Sequence, residues 1–191
     1  GWSSFEGPLR PHAFDLAQLD QACPSPWSAP AVLRNAHVEL RYWRIDAAMP
    51  ALARNADGDQ LLFIHRGAGE LYCDFGRLEF CAGDYLVLPR GTLWRLEVAE
   101  PVAALAIEAT GSSFTLPERG LVGQHAIFDP AMLDVPAVDA KFLAQQTEDP
   151  WTVQVKRRGV LSTVSYPFNP LDAVGWHGDL AACRLNVKDI R

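Results

Sequence analysis

Short apolar runs broken by Gly, Pro and Asp at near-regular intervals constrain this chain more than any other feature. The segment from Asn55 to Trp94 reads NADGDQLLFIHRGAGELYCDFGRLEFCAGDYLVLPRGTLW. Strand-like runs fall at Gln60–His65, Glu70–Cys73, Leu78–Cys81 and Tyr85–Leu88, followed by Trp94–Val98 and Val102–Glu108. Between them lie GAG, a turn at Phe75–Gly76, and a GD pair separated by four residues from PRG. Before them, HVELRYWRI at His37–Ile45 alternates in the manner of a half-buried strand. Short strands at this spacing, with turn residues between, predict an antiparallel sandwich or barrel.

The flanks differ from this centre. Residues 1–36 are rich in Pro, Ser and Trp, with one short helix expected in AFDLAQLDQA, capped by Asp15 and ended by CPSP. From Gly111 the chain becomes Pro- and Gly-punctuated and is expected to make an ordered excursion over the barrel surface. WTVQVKRRGVLSTVSYP adds two strand-like runs around Arg158–Gly159, and the tail after Phe168 is read as stopping without a final element. The organisation expected is therefore an arm at 1–36, a barrel core at 37–110, and an excursion with further strands at 111–191. That last part leads into a possible second barrel half. DAVGWHGDL reads equally as a hinge or as part of the core. A chain that opens on Gly1 is expected to be a piece of something longer.

Composition narrows the function classes. A hydrophobic content of 49% with six Trp supplies a real core, and a net charge of −6 argues against a nucleic-acid or anionic-membrane surface. Lys156, Arg157 and Arg158 cluster, but three charges before a strand read as a solvated edge. No apolar run reaches the ~20 residues of a membrane-spanning helix, and no basic start leads into an apolar secretory stretch. Cys23, Cys73, Cys81 and Cys183 form no C-x-x-C pair, and a turn at Phe75–Gly76 does not set Cys73 opposite Cys81. All four are read as reduced thiols in a cytoplasmic protein. No phosphate loop, dinucleotide fingerprint or G-x-S-x-G is present.

The frame of turns between Asn55 and Trp94 resembles that of cupins, which implies an all-β, double-stranded β-helix or jelly-roll barrel. A metal-binding cupin carries H-x-H, then Glu three or four residues on, and a last His three residues after the Gly of P-x-G. In this chain the Glu position is Gln60 and the last His position is Trp94. The paired His positions fall on Arg54 and Ala56, or on Ala53 and Asn55 at the longer spacing. A ferrous or manganese site needs imidazole nitrogen and carboxylate oxygen converging on one point. The barrel is therefore expected to hold no metal.

Four blocks carry a closer resemblance. They are NADGD at Asn55–Asp59, GRLEFCAGDYLVLPRGTLWRLE at Gly76–Glu97, F-x-L-P-x-x-G-x-x-G from Phe114 followed by DPAMLDVPA, and PFNPLDAVGWHGDL from Pro167 followed by LNVKDIR. Together they resemble the N-terminal half of the homogentisate 1,2-dioxygenase family, in its short, divergent bacterial form. The first ~50 residues lack that family's usual signature. The resemblance implies an oxidoreductase of two related barrel halves. Such an enzyme opens the ring of homogentisate with O₂, giving maleylacetoacetate, in tyrosine and phenylalanine breakdown. Its Fe(II) ligands, two His and one Glu, and its catalytic His lie in the C-terminal half. No catalytic, cofactor-binding or metal residue carries over onto this chain. Its implied partners are that C-terminal half or sister subunits in a homo-oligomer, and a small aromatic substrate.

Four residues stand as pocket or interface candidates. His65 precedes the G-A-G turn and reads as a ligand contact or as a hydrogen-bonded wall residue. Trp94 reads as an aromatic lid or as filler for the space an ion would take. Gln60 fits the second account, because a neutral amide avoids an unpaired buried carboxylate. His177, between glycines in GWHGD, reads as reaching a site in the other half or as fixing its own loop. His12, His37 and His125 show no metal spacing, and Asp57, Asp59 and Asp84 read as turn residues. Two other functions stay open. One is a stand-alone, metal-free cupin that binds a small aromatic or carboxylic ligand through residues such as His65 and Trp94. The other is a metal-free isomerase or lyase, for which no base–acid pair is identifiable.

Overall fold

The computed structural model describes residues 21–115, 129–172 and 181–190, together with residues 3, 4, 6–8, 13 and 15–19 of the N-terminal arm. Ten strands and one short helix make up the regular elements of this part. They are β1 (Ala31–Arg34), β2 (Val38–Ile45), β3 (Leu52–Asn55), β4 (Asp59–Cys73), β5 (Gly76–Phe80), β6 (Asp84–Leu88), β7 (Leu93–Ala109), α1 (Ala140–Ala144), β8 (Trp151–Arg157), β9 (Val160–Tyr166) and β10 (Cys183–Asn186). One continuous sheet runs β10-β6-β4-β7-β3-β8-β9, with β2 also on β7, β1 on β2 and β5 on β4. The architecture is all-β, a cupin-type double-stranded β-helix, as its turn spacing predicts.

Two strands, β1 and β3, form where no strand was expected, and two pairs of expected runs join into single strands for one reason. The two runs at Gln60–His65 and Glu70–Cys73 are a single bent strand, β4, and those at Trp94–Val98 and Val102–Glu108 are a single bent strand, β7. They pair with each other from Asp59↔Ala109 to Cys73↔Trp94. Register shifts between Ile64 and Gly69 absorb the bend. A bulge turns a strand without ending its ladder, so a corner reads as a loop in sequence. Gly67 and Pro101 mark this corner. Gly67 has φ of +89°, and a Cβ there would lie 2.4 Å from the Pro101 carbonyl oxygen. Pro101 has no N–H to give to a ladder, which suits a bulge.

Alternation along the bent strands builds the interior. Leu62, Ile64, Leu71 and Cys73 of β4 meet Trp94, Leu96, Ala104 and Ala106 of β7, with Trp43, Ala53, Phe80, Leu86 and Leu88. Trp43 and Trp94 are wholly buried and meet edge to face, with ring centroids 6.1 Å apart. A second, smaller core lies outside the barrel, where Leu52, Tyr72 and Leu93 meet Phe142, Val153 and Leu171. Arg95 closes it over the rings of Tyr72 and Trp151, at 4.5 and 5.2 Å.

The segments after residue 110 engage the barrel through backbone pairing. β8 runs parallel to β3, β9 pairs β8, and β10 runs antiparallel to β6. The tail thus carries a final element, β10, contrary to its reading as stopping without one. Only four residues long, β10 has no detectable period of its own and is specified by the edge of β6. Residues 134–137 bridge to Arg184 and Arg77, and Asp139 caps α1 by accepting from Phe142 N at 2.8 Å. The arm's expected helix is a 3-10 turn at Leu16–Gln18, with Asp15 accepting from Ala17 N. The four cysteines are free, and burial pushes the Cys73 thiol up to about 12. No helix among the described residues is long and apolar enough to cross a membrane.

An ion cluster fastens α1 to β5. The Arg77 guanidinium meets Glu70, Glu79 and Asp139, and Lys141 reaches Glu70. The Arg77 hydrogen bond holds the Glu70 carboxyl down, from the ordinary 4.5 to about 2. A depressed carboxyl contributes stability that is complete above its unfolded value and fades as pH falls toward its folded value. In urea titrations the deficit of Glu70→Gln relative to the parent is therefore largest above pH 4.5, shrinks from there and closes near pH 2. A constant deficit contradicts the assignment. At the corner, Gly67→Ala is expected to lower stability by more than Gly91→Ala. Gly91 has φ of +90° but no atom within 4 Å of a Cβ. It therefore pays only the backbone strain, on the order of 1–3 kcal/mol.

Candidate functional site

The positions where a metal-binding cupin holds its ion lie on β3, β4 and β7. Trp94 stands directly across the ladder from Ala53 and from Cys73. Ala53 belongs to the interior cluster and Asn55 is 2% exposed, whereas Arg54 is half-buried, with its guanidinium 3.7 Å from Asp74. Strand alternation therefore selects Ala53 and Asn55, the longer spacing, as the inward pair. Gln60 opens β4 at the same end of the barrel and is buried.

The side chains at these positions satisfy one another. Trp94 Nε1 donates to Gln60 Oε1 at 3.2 Å, and both groups are buried. The indole stands at the position of the last His, and the amide supplies the acceptor its N–H requires. Trp94 sits among core side chains rather than over an open cavity. The donors fit Fe(II) poorly: an indole N–H and an alanine offer no lone pair to a metal, and two neutral amides are weak ligands. Among the described residues no three His, Cys, Asp or Glu side chains are grouped to hold an ion.

A charged cluster lies beside this pair, and it was not foreseen. Glu108, across the ladder from Gln60, is 7% exposed and accepts from Asn55 Nδ2 at 2.9 Å and from Lys156 Nζ. Lys156 also lies 3.9 Å from Asp57, which accepts from the backbone N–H of Arg158 and Gly159. Lys156 is thus the cation of a largely buried pair, not part of a solvated edge. The parallel pairing of β8 on β3 carries it inward. One signal was available: in VAALAIEA, Glu108 has the same parity as inward-facing Ala104 and Ala106. The lysine lies 48 residues away and gave no local cue.

Asp59 and Asp84, read as turn residues, are instead the buried first residues of β4 and β6, and they tie distant segments together. Asp59 accepts from Arg90 N at 2.7 Å and Phe114 N at 2.9 Å, and Asp84 from Cys81 N and Asn186 Nδ2, each at 2.7 Å. His65 lies apart from Gln60 and Trp94. It is exposed on the outer face of β4 and lines a groove of about 430 Å³ with Asp15, Leu16, Ala17, Tyr42, Phe63, Arg66 and Leu105. His37 is exposed at the start of β2, while His12, His125 and His177 lie outside the described residues. The geometry thus brings Gln60 and Trp94 together and leaves His65 elsewhere.

Two substitutions test the filled interior. Trp94→Ala is expected to cost about 3–5 kcal/mol in urea unfolding, the range for truncating a large buried aromatic. Gln60→Leu leaves the indole N–H without an acceptor and costs about 1–3 kcal/mol. Values near zero for both would mean that the pair is not packed as described.

Comparison with known proteins places the chain. Residues 25–187 match the family model described as homogentisate 1,2-dioxygenase N-terminal. A homogentisate 1,2-dioxygenase of Sinorhizobium fredii is 33% identical over 137 residues, and that of Bradyrhizobium diazoefficiens is 30% identical over 135. Each match covers 70% of this chain but only 29% of the relative. Among solved structures, a Klebsiella pneumoniae protein with a double-stranded β-helix domain aligns over 58% of this chain and 94% of its own, at TM-score 0.47 and 14% identity. Salicylate 1,2-dioxygenase of Pseudoaminobacter salicylatoxidans aligns over 49% of this chain and 28% of its own, at TM-score 0.40 and 19% identity. The family model spans the barrel, α1 and the strands that follow, and on that match the chain belongs to the homogentisate 1,2-dioxygenase N-terminal family.

Proposed function

We propose that this chain is the metal-free, structural cupin half of an aromatic ring-cleaving dioxygenase of the homogentisate type. In this reading homogentisate and O₂ give maleylacetoacetate at an Fe(II) centre in a second, C-terminal cupin half, in the cytoplasm. The carrying observation is the Trp94–Gln60 pair, which fills with indole and amide the positions where a cupin would present imidazole and carboxylate. A barrel filled in this way keeps its fold and gives up its ion, so its contribution is packing and placement of a partner. Two further features support that role. The strand β9 ends the sheet and leaves Val160 64%, Leu161 47% and Val164 41% exposed. Phe168 is 51% exposed and Leu143 59%. An edge strand with no charge among its seven residues is one that proteins ordinarily cover. The catalytic half, or a sister subunit of a homo-oligomer, is the cover this reading supplies.

Iron content decides the matter. After anaerobic incubation with iron(II) and desalting, the 191-residue protein is expected to retain far less than stoichiometric iron. It is also expected to consume no oxygen with homogentisate. Stoichiometric, tightly held iron would overturn the proposal and reopen the search for ligands among the five His residues.

A further inference from the structure

We propose that the groove beside His65 binds a small planar aromatic carboxylate on the outside of the barrel. The inference is independent of the role assigned to the chain above. Its floor is a single cross-strand row. Tyr42 of β2 faces Leu105 of β7, Leu105 faces Phe63 of β4, and Phe63 faces Tyr85 of β6. These residues alternate with the inward set, so the row lies on the outer face. Tyr42, Phe63 and Leu105 line the groove, and Phe63 packs on its far side against Tyr85, with ring centroids 4.9 Å apart. The 3-10 turn at Leu16–Gln18 forms the facing wall through Leu16 and Ala17. The volume, about 430 Å³, falls within the ~300–1,000 Å³ of small-molecule sites.

The rim supplies the charge. The ladder shifts register between Ile64 and Arg66, so one extra residue enters β4 there. A bulge re-aims side chains, and this one leaves two consecutive basic residues, His65 and Arg66, both exposed and both lining the groove. Neither is held by an ion pair or hydrogen bond among the described residues. Asp15 also lines the groove, but its Oδ1 accepts from Ala17 N at 3.0 Å and caps the turn. An unengaged guanidinium fork beside an aromatic floor is complementary to a carboxylate on a ring: the fork takes the two oxygens and the floor takes the ring. Inorganic phosphate matches the fork without using the floor, and a neutral aromatic alcohol matches the floor without using the fork.

The test is titration of the full 191-residue chain with benzoate and phenylacetate, followed by NMR of the His65 ring and by calorimetry. Inorganic phosphate and benzyl alcohol serve as the one-feature probes. The expected result is saturable binding of at least one carboxylate, with His65 resonances moving and both control probes binding more weakly. Arg66→Gln, at an exposed position and with an unchanged melting temperature, is expected to weaken it roughly tenfold or more, the loss of one charge-assisted pair. His65→Gln provides the same comparison if Arg66→Gln does not fold. Three results overturn the proposal: no saturable binding, binding unaffected by the variants, or a control probe binding as tightly as the carboxylates.

Discussion

The ladder between β4 and β7 is the constraint on which the rest depends. These two strands, 15 and 17 residues long, pair along almost their whole length and bend together at Gly67 and Pro101. Every other barrel strand attaches to one of them. β2 and β3 take the two halves of β7, while β5 and β6 take the two halves of β4. The bend sets which side chains converge. Without it, Gln60 and Trp94, at opposite ends of the paired strands, would not share one interior.

That interior holds an indole and an amide at the positions where a metal-binding cupin presents its ligands. Removing an ion and its ligands from a closed barrel leaves a polar void, and protein interiors tolerate few voids. Here an indole takes the space and an amide answers its one donor, so no buried polar atom of the pair is left over. Glu108 and Lys156 lie beside it as an ion pair with a further bond from Asn55. Removing one partner of such a pair leaves the other charged and buried, which is far costlier than replacing both. The pair also joins the last strand of the barrel to a segment 48 residues further on. The same fold thus combines an inert interior, an apolar edge at β9 and a charged groove on its outer face.

Much of this was legible from particular residues. The turn signals at Phe75–Gly76, Gly83–Asp84 and Pro89–Gly91 set the barrel. The absence of His and Glu at Gln60 and Trp94 showed that the metal frame was altered. The corner was misread as two loops, because a bulge keeps the ladder while interrupting the period. β10 was missed because four half-buried residues specify nothing until β6 offers them an edge. Lys156 was read from its neighbours Arg157 and Arg158, but its own side chain is directed by the parallel register of β8 on β3.

The sequence by itself determined the fold class, the family and which residues stand at the metal-ligand positions. Each of these is written in local order: alternation, turn residues and the identity of single positions. Only the tertiary structure decided which of two spacings faces inward, that the indole of Trp94 finds the amide of Gln60, and that Glu108 meets Lys156. It alone placed His65 and Arg66 together on an outer groove. Those outcomes depend on cross-strand register and on a bulge, and register is a relation between distant segments that no single segment encodes.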